Sequence, residues 1–278
     1  MKNIDELQSS LEGCNPGHNW LRARLARGDF AIGLTITTSN LEAAVSGAMS
    51  GFHFLWVEME HSPVSLEALR RIVLATRGLD VSIFARVPVV ALWTAKRVLD
   101  QGVSGVIFPF ISDLELARTA ALSCRYPLAG LRGSGAGLAI TTWPESGNYY
   151  DSADAHVLTI CVIEEARALD HIDEIAALPG IDVLFIGTSD LSFSLGLRGR
   201  QNEPTLEEAI QTIVAAAKRN HKFLGRPAAG ADEVLAYREQ GFQLFQSVTE
   251  IGLMRLGARQ ILQKLGIRDS YATYGSLY

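Results

Sequence analysis

Residues 156–190 read HVLTICVIEEARALDHIDEIAALPGIDVLFIGTSD. Two near-continuous apolar runs, His156–Ile163 and Ile181–Thr188, flank a stretch of helical spacing, Ala166–Ala177. Strands covered on both faces read as unbroken apolar runs, as in parallel sheets. The unit is therefore strand, helix, strand. Each run ends at or just before a carboxylate, Glu164 and Asp190. Burying a charge is expensive unless it is paired or binds a metal.

The same period recurs on both sides. Upstream lie Phe30–Thr37 with a helix at 40–49, His53–Glu60 with a helix at 65–77, Val81–Pro88 with a helix at 92–101, and GVIFPF (105–110) with a helix at 113–125. Downstream a short turn and a helix at 205–220 follow the sixth run. KFLGRPA (222–228) then precedes a helix at 231–240, and FQLFQSV (242–248) one at 251–265. Ser65 is placed to N-cap its helix, with Glu67 in the first turn. Eight such units predict a closed parallel (β/α)8 TIM barrel, a fold of roughly 250 residues. No GxGxxG follows the first strand, which argues against a dinucleotide domain.

The 278 residues divide into an N-terminal helical extension (1–29), one barrel (30–267) and a C-terminal tail (268–278). Asn19–Asp29 reads as a helix of the kind that covers the bottom of a barrel. Gly130–Ala155 is longer than an ordinary αβ connection, and long connections are commonly functional. Its Trp143, Tyr149 and Tyr150 are expected to pack at the barrel mouth or on a neighbouring subunit.

Hydrophobic residues make up 48% of the chain and charged residues 20%, enough for a large core. The net charge of −5 and scattered basic residues argue against a nucleic-acid partner. No apolar stretch reaches the roughly 18 residues of a membrane span, and no signal-peptide h-region opens the chain. Cys14, Cys124 and Cys161 are too few for a disulfide framework or a zinc site. Cys161 reads as a small buried hydrophobe. A cytoplasmic protein is expected.

His61, Arg86, Glu164 and Asp190 stand at or just past the ends of four different runs. Carboxylates on adjacent strands about 4.8 Å apart can share one cation. Oxygen-only ligation suits Mg2+ or Mn2+. Alternatively each carboxylate caps a helix or pairs with an arginine. Arg86, inside FARVP, needs an anion, which is either Glu58 or Glu60 or a substrate oxygen. His61 is a proton shuttle or a surface side chain, and a carboxylate in EMEH would orient it. Gly187, Thr188 and Ser189 can offer backbone N–H groups to a carboxylate.

VEMEHSP, ARVP, FPF, YPLAGLRGSG, VIEEARALDHIDEI and FIGTSDLSFSLG, in this order, resemble the HpcH/HpaI aldolase family of class II pyruvate aldolases. The resemblance runs from about Ala31 to Leu265. It implies a TIM barrel that exchanges its last helix with a neighbour in a homo-oligomer, a hexamer or trimer of dimers. It implies a divalent metal (Mg2+, with Mn2+ or Co2+ as substitutes) held by Glu164 and Asp190 and chelated by pyruvate or its enolate. Arg86 would stabilise the enolate oxygen, His61 with Glu58 would handle the proton, and the backbone at Ser189 would hold the pyruvyl carboxylate. The implied partners are a 2-oxo acid of the pyruvate or oxaloacetate type and an aldehyde or other acceptor, chosen chiefly by Gly130–Ala155 and by a neighbouring subunit. The reaction is aldol cleavage or formation of a 4-hydroxy-2-oxo acid. The alternatives are oxaloacetate decarboxylation, macrophomate-synthase-like enolate addition, or a catalytically silent barrel. The chain departs from the family pattern at Glu58, where Asp is usual, at Val162 for Gln, at Thr188-Ser189 for Pro-Ala, and at Thr35 for Trp.

Overall fold

Eight strands alternate with helices in the computed structural model of the chain, which describes residues 20–143 and 148–267. The strands are β1 (Ala31–Ile36), β2 (Phe54–Glu58), β3 (Ser82–Arg86), β4 (Gly105–Phe108), β5 (Leu158–Ile163), β6 (Val183–Ile186), β7 (Phe223–Pro227) and β8 (Leu244–Thr249). They close in sequence order into one barrel, and every pairing is parallel. The expected TIM barrel is thus observed. Cys14 and the tail 268–278 lie outside the described residues.

The strands are apolar on both faces because both are buried, in different cores. Phe54, Trp56, Phe84, Ile107, Ile160, Val162 and Phe185 point inward and form the barrel interior. Leu55, Val57, Val106, Phe108, Leu184 and Ile186 point outward under the helices. Large rings inside demand small neighbours: a Cβ on Gly33 would sit 2.1 Å from the Phe54 ring. Among the described residues four helices start at a side-chain cap, and Asn40, Ser65, Asp113 and Thr249 each accept from a backbone N–H three residues on.

The helix Trp20–Ala26 closes the bottom, as expected. Leu21 and Leu25 are fully buried among the interior rings, stabilising by about 2 kcal/mol each. Arg22 and Arg125 converge on Asp182 at 2.7 and 3.0 Å and fasten this end.

The connection 130–155 departs from its expected place. It carries two short helices, Gly137–Thr142 and Tyr149–His156, and lies between the helix Leu114–Ser123 and β5. An αβ connection sits at the N-terminal ends of the strands, opposite the mouth. Its aromatics serve a small core of its own. Tyr126, Ala136, Ala139, Tyr149 and Ala153 cluster with Trp143, and the buried Arg132 lies 4.5 Å over the Tyr126 ring. The described residues of this segment therefore do not line the mouth of their own barrel.

The last helix, Glu250–Lys264, contributes no buried side chain, and leaves Met254 68% and Ile261 63% exposed. Among the described residues no helix is long and apolar enough to cross a membrane.

Candidate active site

Strand alternation delivers Glu58 and Arg86 into the barrel side by side, since they are register partners on β2 and β3. The Glu58 carboxylate is buried and takes four hydrogen bonds. Oε1 accepts from the backbone N–H of Glu60 (2.8 Å) and of His61 (3.1 Å), and Oε2 accepts from Trp56 Nε1 (3.2 Å) and Arg86 Nη1 (3.5 Å). Ser62 Oγ donates to the Glu58 carbonyl. The chain beyond β2 is thus wound about one carboxylate.

Arg86 faces three carboxylates. Nε lies 2.5 Å from Glu60 Oε2, an ion-pair contact whose angle is poor for a hydrogen bond. Nη1 reaches Glu58, and Nη2 is 3.4 Å from Glu164 Oε1. Of the two alternatives raised for Arg86, the structure shows the carboxylate partners, Glu58 and Glu60, with Glu164 as a third.

Glu164 follows directly on β5, and its side chain is 2% exposed. Oε1 also accepts from the backbone N–H of Phe110 (2.8 Å), which adopts a left-handed φ of 49°. Oε2 lies against Gly187, where a Cβ would come within 2.6 Å of it. Glycine at the end of β6 leaves this oxygen its room. Asp190 is half-buried in the first turn of the helix Thr188–Ser194 rather than at a strand end. A side chain there still acts on Glu164 and Glu60 through its charge.

Burial raises the Glu60 carboxyl to about 7, with Arg86 opposing and Glu58 and Asp190 adding to the rise. Burial likewise raises Glu164 to about 7, against the pull of Arg86 and the Phe110 N–H, with Asp190 and Glu60 adding. Three carboxylates share the Arg86 guanidinium and Asp190 adds a fourth negative charge, so the site holds an excess of negative charge that a cation would relieve. Among the described residues no cluster of three or more His, Cys, Asp or Glu side chains forms a preformed metal cage. Glu164 and Asp190 offer two hard oxygen donors, a set that fits a cation which takes its remaining ligands from water and substrate.

His61 lies three residues beyond β2 rather than at its end. Its side chain is 42% exposed, with Nε2 3.4 Å from Glu60 Oε2. Thr188 is buried and Ser189 exposed at the start of their helix. Sequence reasoning left out Glu60 as a site residue, although the i, i+2 spacing of EMEH put it on the face of Glu58. It also missed Trp56, whose indole N–H binds Glu58.

Residues 32–255 match the sequence profile of HpcH/HpaI aldolase/citrate lyase. The chain is 32% identical over 255 residues to a hydroxypyruvate/pyruvate aldolase of Paraburkholderia phytofirmans, covering 89% of this chain and 97% of that protein. It is 29% identical to a 5-keto-4-deoxy-D-glucarate aldolase of Escherichia fergusonii, over 87% of this chain and 95% of that one. The crystal structure of an HpcH/HpaI aldolase/citrate lyase family protein from Burkholderia cenocepacia superposes with a TM-score of 0.82 at 30% identity, covering 89% of this chain and 99% of that chain.

Proposed function

This chain belongs to the HpcH/HpaI aldolase/citrate lyase family of carbon–carbon lyases, and from that footing we propose that it is divalent-metal-dependent and cleaves and forms 4-hydroxy-2-oxo acids through a pyruvate enolate. The observation that carries this reading is the Arg86–Glu164 contact at a guanidinium that also meets Glu58 and Glu60, with Asp190 acting on Glu164 through its charge.

In this reading Glu164 and Asp190 would hold Mg2+, with Mn2+ or Co2+ able to replace it. The bound cation would supply Lewis-acid polarisation of the 2-oxo group. Arg86, held by Glu58 and Glu60, stabilises negative charge as it develops on the same oxygen. The backbone at Gly187, Thr188 and Ser189 receives the substrate carboxylate. Cleavage breaks the C3–C4 bond. The C4 hydroxyl proton passes to His61, C4 leaves as an aldehyde, and the protonated His61 returns the proton, through water, to C3 of the enolate. His61 suits this role because it stands at the solvent edge beside Glu60.

Decarboxylation of oxaloacetate is the second reading. It forms the same enolate with no hydroxyl proton to remove. One observation favours it: Glu58 is already filled by Trp56, Arg86 and two backbone donors. We also propose a homo-oligomer, a hexamer or trimer of dimers, in which the uncovered helix Glu250–Lys264 packs on a neighbour. The support is its exposed apolar residues, which an isolated chain leaves in water.

Pyruvate release from a panel of 4-hydroxy-2-oxo acids and oxaloacetate, with Mg2+ and with EDTA, tests the proposal. Release that requires the metal is expected. His61→Ala should lose aldol cleavage and retain oxaloacetate decarboxylation. Turnover undiminished in EDTA would rule out the metal reading, and equal loss of both activities in His61→Ala would count against decarboxylation as a separate route.

A further inference from the structure

One donor at the site has no task in the proposed chemistry, the indole of Trp56. Trp56 stands two residues before Glu58 on β2, so both side chains enter the barrel from the same face of the strand. Its ring is 1% exposed, belongs to the interior cluster with Phe54 and Phe84, and lies 5.0 Å from the Phe185 ring. A ring wedged in this way cannot follow a moving partner. Its N–H is a fixed point beneath the Glu58 carboxylate.

The two oxygens of Glu58 have different surroundings. Oε1 accepts from the backbone N–H groups of Glu60 and His61, in the segment after β2. Oε2 accepts from two side chains, Trp56 Nε1 at 3.2 Å and Arg86 Nη1 at 3.5 Å. The last torsion of a glutamate has broad wells and selects no plane by itself. The backbone pins one oxygen and leaves the carboxylate free to tilt about it. The indole N–H takes the second oxygen and ends that freedom. A guanidinium is planar, so two held nitrogens fix its plane. Glu60 meets Nε and Glu58 meets Nη1, which leaves Nη2 beside Glu164 Oε1 at 3.4 Å.

We propose that Trp56 is a positioning residue of the active site: its indole N–H, acting through Glu58, sets the plane in which Arg86 meets the developing enolate oxygen. This rests on the lyase reading above. A glutamate at 58 carries one methylene more than the aspartate usual in the family, hence one more torsion to hold. The indole is the donor that holds it. Trp56 acts on the reaction only through Glu58 and Arg86, so its loss should appear in kcat rather than in substrate binding.

The test follows exchange of the pyruvate methyl protons for deuterium, in D2O with Mg2+. Trp56→Phe keeps an aromatic ring in the core and removes the N–H. It should lower kcat for exchange about tenfold and change KM for pyruvate less than about twofold. Arg86→Lys breaks the fork on which the indole acts, so Trp56→Phe added to it should cost nothing further. A loss due to core packing alone would multiply in that double variant. Multiplied losses overturn the inference, and so does a Trp56→Phe variant with native kcat. Glu58→Asp covers the case in which Trp56→Phe does not fold, because it draws the carboxylate back from the indole and leaves the core ring in place. It should lower kcat to a similar extent, and a native kcat there also overturns the inference. If the native protein exchanges the protons and both variants match it, the role of Trp56 alone is refuted. A native protein that exchanges none refutes the lyase reading and this inference with it.

Discussion

Glu164→Gln is expected to abolish Mg2+ and Mn2+ binding by calorimetry and to lower pyruvate release on the order of 1,000-fold. The substitution keeps the shape and the acceptor for the Phe110 N–H, and removes only the charge. Folding should survive, because a neutral amide is cheaper to bury than a carboxylate. The raised carboxyl gives the prediction a pH signature. Glu164 titrates near 7 in the fold, above the ordinary value of 4.5, so its protonated form favours the folded state. That stabilisation is full below about pH 4.5 and is lost as pH rises through 7. The metal-free protein should therefore melt lower at pH 8 than at pH 5.5, while metal affinity rises over the same interval as the carboxylate is freed. In Glu164→Gln the melting slope should shrink to the part due to Glu60, which is also raised to about 7. A variant that binds Mg2+ like the native protein would remove Glu164 from the ligand set.

Arg86→Lys is expected to lower kcat by about 100-fold while changing KM far less. Lysine retains the positive charge and loses the fork that meets Glu58, Glu60 and Glu164 from three sides. An interaction made chiefly with charge that develops during the reaction is lost from kcat rather than from substrate binding. Arg86→Ala is the harsher change. It strands three buried carboxylates and should cost about 3–5 kcal/mol of stability, visible in the melting temperature. Steady-state kinetics on the lysine variant, read beside its melting curve, separate the two roles. A lysine variant with native kcat would mean that Arg86 only glues carboxylates together.

The barrel was legible because its signal is local. A strand covered on both faces must be apolar along its length, so VSIFARVP and HVLTICVIE announce strands whatever surrounds them. The observed β3 and β5 fall inside those runs. Charges at run ends were legible for the same reason, and Glu58, Arg86 and Glu164 do converge. What was not legible depends on register and on three-dimensional neighbours. Asp190 lies in the first turn of a helix, Thr188–Ser194, that the apolar run ending at Thr188 did not announce. The Gln246 bond to Thr35 joins residues that only the closed barrel brings together, and the Trp56 bond to Glu58 depends on how the interior packing turns the indole. That Tyr149 and Trp143 cluster with Tyr126 rather than at the mouth of their own barrel was not legible, because nothing in the chain order shows it.

Enolate formation is the central claim, and it can be observed with no acceptor at all. Pyruvate in D2O should lose its methyl proton signal in the presence of the protein and Mg2+, as C3 is deprotonated and returns with deuterium. EDTA and Glu164→Gln should each reduce the exchange to the rate of buffer alone. Methyl protons that persist with the native protein and saturating Mg2+, or that exchange as fast in EDTA, would contradict the account.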